Sequence, residues 1–250
     1  MGIQLKNHSQ IAKLREANLV VADVLDTLES TVKAGMSTWE LNEIAERRLK
    51  HLKAESAFLG YHDYPAVLCT SVNEVVVHGI PRKDVVLKEG DLLSIDFGAF
   101  KDGWCGDSAR TLPIGRITPE AQALVDATRD SLERAIAVCV PGNRLGDIGH
   151  AIQSYVEPKG YSVVRQFVGH GIGRRMHEDP HVPNFGVKGR GLRLSEGLVV
   201  AIEPMINAGS AEDFTEEDGW TAVTRDGSLS AHFEHSVAIT ENGPVVLSRP

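Results

Sequence analysis

Cysteine is scarce: the 250-residue chain has three, Cys69, Cys105 and Cys139, with no CxxC pair among them. An odd, dispersed set excludes a disulfide framework or a zinc ribbon and fits a reducing compartment. Long apolar runs are absent. None approaches the roughly 18 residues needed to span a bilayer, and the polar stretch from Met1 to Gln10 lacks the apolar core of a signal peptide. The expected location is cytoplasmic, with no membrane partner. Positive charge is in deficit, 26 Lys and Arg against 34 Asp and Glu for a net charge of −8, which argues against direct nucleic-acid binding. The glycines of Gly169-His170-Gly171-Ile172-Gly173 have neither a Walker Lys-Ser/Thr nor GxGxxG spacing after a strand, so nucleotide binding is not expected. No Ser-His-Asp or Cys-His pair has the context of a nucleophilic enzyme.

What is present is ordinary globular material. A hydrophobic content of 42% over this length supports a single domain, 1–250, with enough apolar area to need no staples. Ser9 is the expected cap of a first helix with apolar residues at Ile11, Leu14, Val21, Leu25 and Leu28, closing at Gly35. Ser37 and Glu40 form a capping box for a second helix. Thr118-Pro119-Glu120 starts a third, with Pro in the first turn. A fourth carries Ile148, Ile152, Tyr155 and Val156 and stops at Pro158 and Gly160. Strands are predicted over 66–72, 92–97, 103–110, 198–202, 220–224, 231–240 and 245–248, punctuated by turn signals such as Asp102-Gly103 and Asn242-Gly243.

Two weak self-similarities share one spacing. Glu89-Gly90-Asp91 to Asp96 resembles Glu196-Gly197-Leu198 to Glu203, and Gly35 with Glu40-Leu41 resembles Gly142 with Asp147-Ile148; both pairs are 107 residues apart. This predicts a duplication, with halves of approximately 10–110 and 118–240. Each repeated strand ends in a carboxylate, so a pseudo-two-fold would place Asp96 and Glu203 equivalently in a shared cleft.

The carboxylates carry the chemistry. A hairpin centred on Asp102-Gly103 sets Gly98 opposite Asp107, which makes Asp96 and Asp107 diagonal neighbours on one face. Two buried carboxylates are costly without a positive partner. Glu203 and Glu234 end or sit within apolar strands that have no Lys or Arg, and His170 lies between glycines that leave room for a ligand. Four carboxylates and one imidazole suit two bridged divalent ions. Their oxygen-rich donors fit Co, Mn, Fe(II) or Zn without selecting among them.

These segments resemble the type I methionine aminopeptidases. The resemblance rests on Gly169-His170-Gly171-Ile172-Gly173-Arg174, His177-Glu178-Asp179-Pro180, Ile202-Glu203-Pro204-Met205, Phe233-Glu234-His235, Gly60-Tyr61-His62, Asn73 to Pro81 and Ile95-Asp96, and it spans the chain. It implies an α+β pita-bread (creatinase/aminopeptidase) fold, two pseudo-symmetric halves with a central antiparallel sheet backed by helices. It implies that Asp96 chelates one metal, that His170 and Glu203 hold the other, and that Asp107 and Glu234 bridge them. It also implies catalytic roles for His78, His177 and Glu203, and a Na or K ion held by backbone carbonyls of Asn73, Val75 and Ser230. The methionine pocket is expected from Phe58, Tyr61, Tyr64, Cys69, Met176 and Trp220, with His78 and His177 also touching substrate. Phe58 and Met176 depart from the family pattern, in which a smaller residue, often Cys, and a Phe are common. The substrates implied are nascent polypeptides with N-terminal Met and a small second residue, met by a monomer near the ribosome exit. The chain carries neither the N-terminal zinc-binding extension nor the type II insertion of some relatives. Alternatives are a proline-specific peptidase of the same fold and a non-catalytic peptide-binding module.

Overall fold

The computed structural model describes residues 2–249. Among them are four α-helices: α1 (His8–Thr31), α2 (Thr38–His51), α3 (Pro119–Ala137) and α4 (Leu145–Val156). The Ser37/Glu40 box caps α2 and Thr118 caps α3, as their sequences predict. The cap of α1 is Asn7 rather than Ser9. Its side chain accepts from the Gln10 amide at 3.0 Å, and the Gln10 side chain takes the Asn7 amide in return. The reciprocal pair satisfies two first-turn donors, which a lone Ser at position 9 would not do.

The strands are β1 (Glu55–Ser56), β2 (Cys69–Val72), β3 (Val75–Val77), β4 (Leu92–Lys101), β5 (Trp104–Pro113), β6 (Ser162–Val163), β7 (Gly169–Gly171) and β8 (Glu178–Val182). They continue with β9 (Val199–Ile202), β10 (Met205–Asn207), β11 (Asp213–Thr215), β12 (Ala222–Thr224), β13 (Ser230–His232), β14 (Glu234–Thr240) and β15 (Gly243–Val246). The main sheet runs β1-β4-β5-β14-β9-β7-β8, with β2 also on β4 and β15 also on β14. Every pairing is antiparallel. The strand expected over 231–240 divides at Phe233. There β13 pairs with β10 in a small sheet while β14 pairs with β5 and β9. The Phe233 amide donates to Pro204, which interrupts the partner chain between β9 and β10. Both chains therefore change sheets at one corner, and Glu203 and Glu234 stand at that corner.

Alternation decides what the sheet presents on each face. Leu93, Ile95 and Phe97 of β4 pack with Val21, Leu25, Leu28 and Leu41 of α1 and α2. Val200, Ile202, Val237 and Ile239 pack with Leu132, Ile136, Ile148 and Ile152 of α3 and α4. The intervening residues, Asp96 on β4, Ala201 on β9 and Ser236 on β14, take the opposite face.

The helix pairs share backbone detail at the repeat spacing. Gly35 and Gly142 have φ of +91° and +99°, and Gly90 and Gly197 have +98° and +84°. Isolated antiparallel bridges join Ser37 to Val86 and Arg144 to Arg193, again 107 residues apart on both sides. On these equivalences we propose that the domain consists of two related halves, about 10–110 and 118–240.

Gly106 shows how closely α1 lies on β5: an added Cβ would sit 2.7 Å from backbone atoms of Ala17 and Asn18. Gly106→Ala is expected to destabilise the fold by about 1–3 kcal/mol. An unchanged urea midpoint would contradict that contact.

Candidate metal centre

The β4–β5 register is the one the turn predicts, with Lys101 opposite Trp104 and Gly98 opposite Asp107. Pairing then places the acidic groups in rows across the strands. Asp96 faces Cys69 on one side and Ala109 on the other, and Ala109 faces Glu234. Ile202 faces His235, so Glu203 follows beside Glu234 where β9 ends. The neighbouring row runs from Gly98 and Asp107 toward Ser236, whose hydroxyl donates to the Asp107 carbonyl at 3.0 Å, and on through Ala201 to His170. Between the acids and the imidazole stand Gly, Ala, Ala and Ser, side chains too short to fill the space. This is why five large polar groups converge on one volume.

The His170 ring is fixed by its own backbone. Nδ1 lies 3.0 Å from the Gly171 carbonyl, which only accepts, so Nδ1 carries the proton. The bare Nε2 then faces the acids, 3.5 Å from Glu203 Oε1 and 3.9 Å from Asp107 Oδ2. Ligand atoms of Asp107, His170 and Glu234 lie within 4.8 Å of one another. Asp96 Oδ1, Asp107 Oδ1 and Glu234 Oε1 are buried with no hydrogen-bond partner.

Burial pushes the Asp96 carboxyl up to about 7. It raises Asp107, Glu203 and Glu234 well above the carboxylate range, with further upward pressure from the other acids of the cluster. No Lys or Arg is among the influences on any of the four. Burial also holds His170 neutral, down to about 3. Orphaned carboxylate oxygens, a neutral imidazole aimed at them and no protein cation together make a donor set that fits divalent metal.

The cage forms the floor of a cavity of about 440 Å³. All five acid and imidazole residues line it, as do His78, His177, Phe58, Tyr61, Tyr64, Cys69, Met176 and Trp220. Tyr64 and Trp220 meet edge to face with centroids 5.0 Å apart, and Phe58 meets Tyr64 likewise at 6.4 Å. The His177 ring centroid lies 4.3 Å from that of His170, and its Nδ1 is 2.7 Å from the Tyr61 hydroxyl. His78 packs against Phe167 and Trp220; burial first, and then the nearby His177, lower it to about 4.

The profile of metallopeptidase family M24 matches residues 12–241. The chain belongs to metallopeptidase family M24. Among the relatives of this M24 chain is a methionine aminopeptidase of Clostridium acetobutylicum, 49% identical over 98% of both chains. Another, of Aquifex aeolicus, is 48% identical over 99% of both. A crystal structure of methionine aminopeptidase from Thermotoga maritima superposes with a TM-score of 0.98 at 44% identity, covering 100% of both chains. Prolidase from Pyrococcus furiosus shares the fold, with a TM-score of 0.79 at 19% identity, and this chain covers 65% of it. The M24 architecture is the pita-bread fold.

Within this M24 site, sequence reasoning missed two lining residues, His62 and Gly219. His62 belongs to a 3₁₀ turn (Tyr61–Asp63) and Gly219 to a tight turn with φ +77°. Gly60-Tyr61-His62 signalled the first without assigning it a role. The segments proposed for a monovalent ion do converge: the Ser230 amide donates to the Asn73 carbonyl at 2.9 Å, and Val75 opens the adjacent β3. The Asn73 side chain donates to Asp91 Oδ1 and accepts from the Leu92 amide, both at 2.9 Å.

The raised carboxyls set a pH dependence for the metal-free protein. Each binds a proton when folded that the unfolded chain releases near pH 4, so its contribution is complete below that value and is lost as pH rises through the folded pKa. Buried His78 and His170, lowered to about 4 and about 3, act oppositely but only below about pH 6.5. Above that pH the acids dominate, and from about pH 8 the buried thiols of Cys69, Cys105 and Cys139, raised by burial, act in the same direction. The metal-free stability should fall from pH 6.5 to 8.5, by about 1.4 kcal/mol per pH unit for each acid still protonated when folded, and the melting temperature should fall with it. Saturating Mn(II) should flatten or reverse the trend. A metal-free protein that gains stability over this range would refute the unneutralised cluster.

Proposed function

We infer that the protein is a metal-dependent methionine aminopeptidase that releases N-terminal Met from peptides and nascent proteins. The observation that carries this reading is the complete five-residue cage beneath an apolar, aromatic-walled cavity, in a chain similar to methionine aminopeptidases over its whole length.

Asp96, Asp107, His170, Glu203 and Glu234 would hold two divalent ions. When bound, such ions offset the carboxylate charge and make water ionisable near neutral pH. The protein's own groups supply the rest. Glu203 takes the proton of the attacking water and returns it to the departing amine. His78 and His177, both kept neutral by burial, hydrogen-bond the scissile amide and its oxyanion. The Tyr61 contact fixes Nδ1 of His177 and leaves Nε2 for substrate. A carboxylate-rich floor favours a free α-amino group, which an internal peptide bond lacks, and this accounts for exopeptidase action.

Phe58, Tyr64, Cys69, Met176 and Trp220 give the methionine side chain an apolar, sulfur-tolerant lining. Both Phe58 and Met176 lie in one buried cluster. We place them in volume compensation across the pocket: a larger residue at 58 is matched by a narrower, flexible one at 176.

His170→Ala is expected to abolish cleavage of a Met-Ala-Ser peptide and weaken metal binding. His177→Ala should lower kcat about 10²-fold while leaving metal affinity intact. Full activity of rigorously metal-stripped enzyme would overturn the reading. Turnover of X-Pro dipeptides with none of Met-Ala-Ser would favour the proline-specific alternative.

A further inference from the structure

Residues 2–9 run exposed along the surface with one exception, Lys6, which is 7% exposed. Its Nζ lies 2.6 Å from Glu178 Oε2, with both side chains about 95% buried, and also donates to the Gln4 carbonyl at 3.0 Å. Its amide donates to the Gly197 carbonyl at 2.7 Å, at the turn that leads into β9. Glu178 opens β8 immediately after His177. Its other oxygen, Oε1, accepts from the Arg174 and Arg175 amides at 2.9 and 3.3 Å. The pair thus ties the C-terminal end of the short loop between β7 and β8 to its middle, at Arg174 and Arg175, and this loop places Met176 and His177 in the cavity.

The packing around the pair is specific to it. A Cβ on Gly173 would lie 2.6 Å from Glu178 Oε1 and 2.8 Å from Lys6 Cε, and one on Gly197 would lie 2.6 Å from the Lys6 carbonyl. The Gly173 carbonyl in turn receives the Cys105 amide at 2.8 Å, at the start of the strand that carries Asp107. A buried ion pair is weak evidence for stability, because desolvation offsets its attraction. Its better-supported use is to specify one arrangement where others compete. Here the arrangement specified is that of a glycine-rich loop that has no regular structure of its own between β7 and β8.

We propose that Lys6 is a positioning residue of the active site: the N-terminal segment straps the loop through Glu178 and so holds Met176 and His177 in place for the substrate methionine and its scissile amide. Lys6 touches neither substrate nor metal ligand. Its effect runs through Glu178 to the loop, whereas the cage is set by strand pairing: Asp96 on β4, Asp107 on β5, His170 on β7, Glu234 on β14 and Glu203 just past β9. The proposal rests on the aminopeptidase reading given above.

The test compares wild type with Lys6→Met, Lys6→Arg and the double variant Lys6→Met/Glu178→Gln. Three quantities are measured: kcat and KM for Met-Ala-Ser, calorimetric affinity for free methionine, and calorimetric affinity for Mn(II). Lys6→Met should raise KM and lower kcat, reducing kcat/KM about 100-fold. It should weaken methionine binding in step and leave Mn(II) affinity unchanged. Lys6→Arg, which keeps the charge, should recover most of the loss. The double variant leaves no unpaired buried charge, so it should fold even if Lys6→Met does not, and it should show the same kinetic defect. Wild-type kcat/KM and methionine affinity in either Met variant would overturn the proposal, as would Mn(II) affinity falling in parallel with activity. Wild-type enzyme that releases no methionine would instead sink the aminopeptidase reading.

Discussion

Four carboxylates crowd one face of a sheet with no basic side chain to answer them, and most of the architecture around them follows from that crowding. Burial raises all four above the range where carboxylates ordinarily ionise, and repulsion from neighbouring acids adds to this at Asp107, Glu203 and Glu234. In water the same groups would separate. Here the opposite face of the sheet is committed to two helix pairs through Leu93, Ile95 and Phe97 on one side and Val200, Ile202, Val237 and Ile239 on the other. Alternation then forces the acids onto the remaining face, and the hydrophobic core offsets the electrostatic cost of the site.

The spaces between the ligands are as much a part of the design as the ligands. Ala109 lies between Asp96 and Glu234 in the ladder, and Ala201 opposite His170. Any longer residue at these points would enter the volume that a cation requires. The corner at Glu203-Pro204 and Phe233-Glu234, where both chains leave one sheet for another, turns two glutamates inward together. A regular ladder continuing through these positions would have carried the two glutamates along the sheet instead.

Much of this was legible in the chain. The Asp102-Gly103 turn fixed the hairpin register, and with it the relation of Asp96 to Asp107. Four helices could be read because each has an apolar period and the first three also a side-chain cap, although Asn7 with Gln10 outcompeted Ser9 for the first. Short strands such as β7 and β8 were not legible. Gly-His-Gly and a Pro-containing pentapeptide have no alternation to read, and they become strands only because β9 pairs with β7 and β7 in turn with β8. The lining residues His62 and Gly219 were missed for the same reason: each sits in a turn whose place is set by contacts distant in sequence.

The sequence by itself determined the inventory: unpaired acids embedded in apolar runs, an imidazole between glycines and the absence from those runs of cations that might neutralise them. Composition and local period suffice for these, since they depend on residues close together in the chain. Only the tertiary structure decided that the Ser236 and Ala201 positions clear a path from Asp107 to His170, that His177 leans on Tyr61, and that Lys6 reaches Glu178 across 172 residues. Those relations arise from cross-strand register and from loop closure. Neither is encoded at any one position, because both depend on where the core sets the two halves.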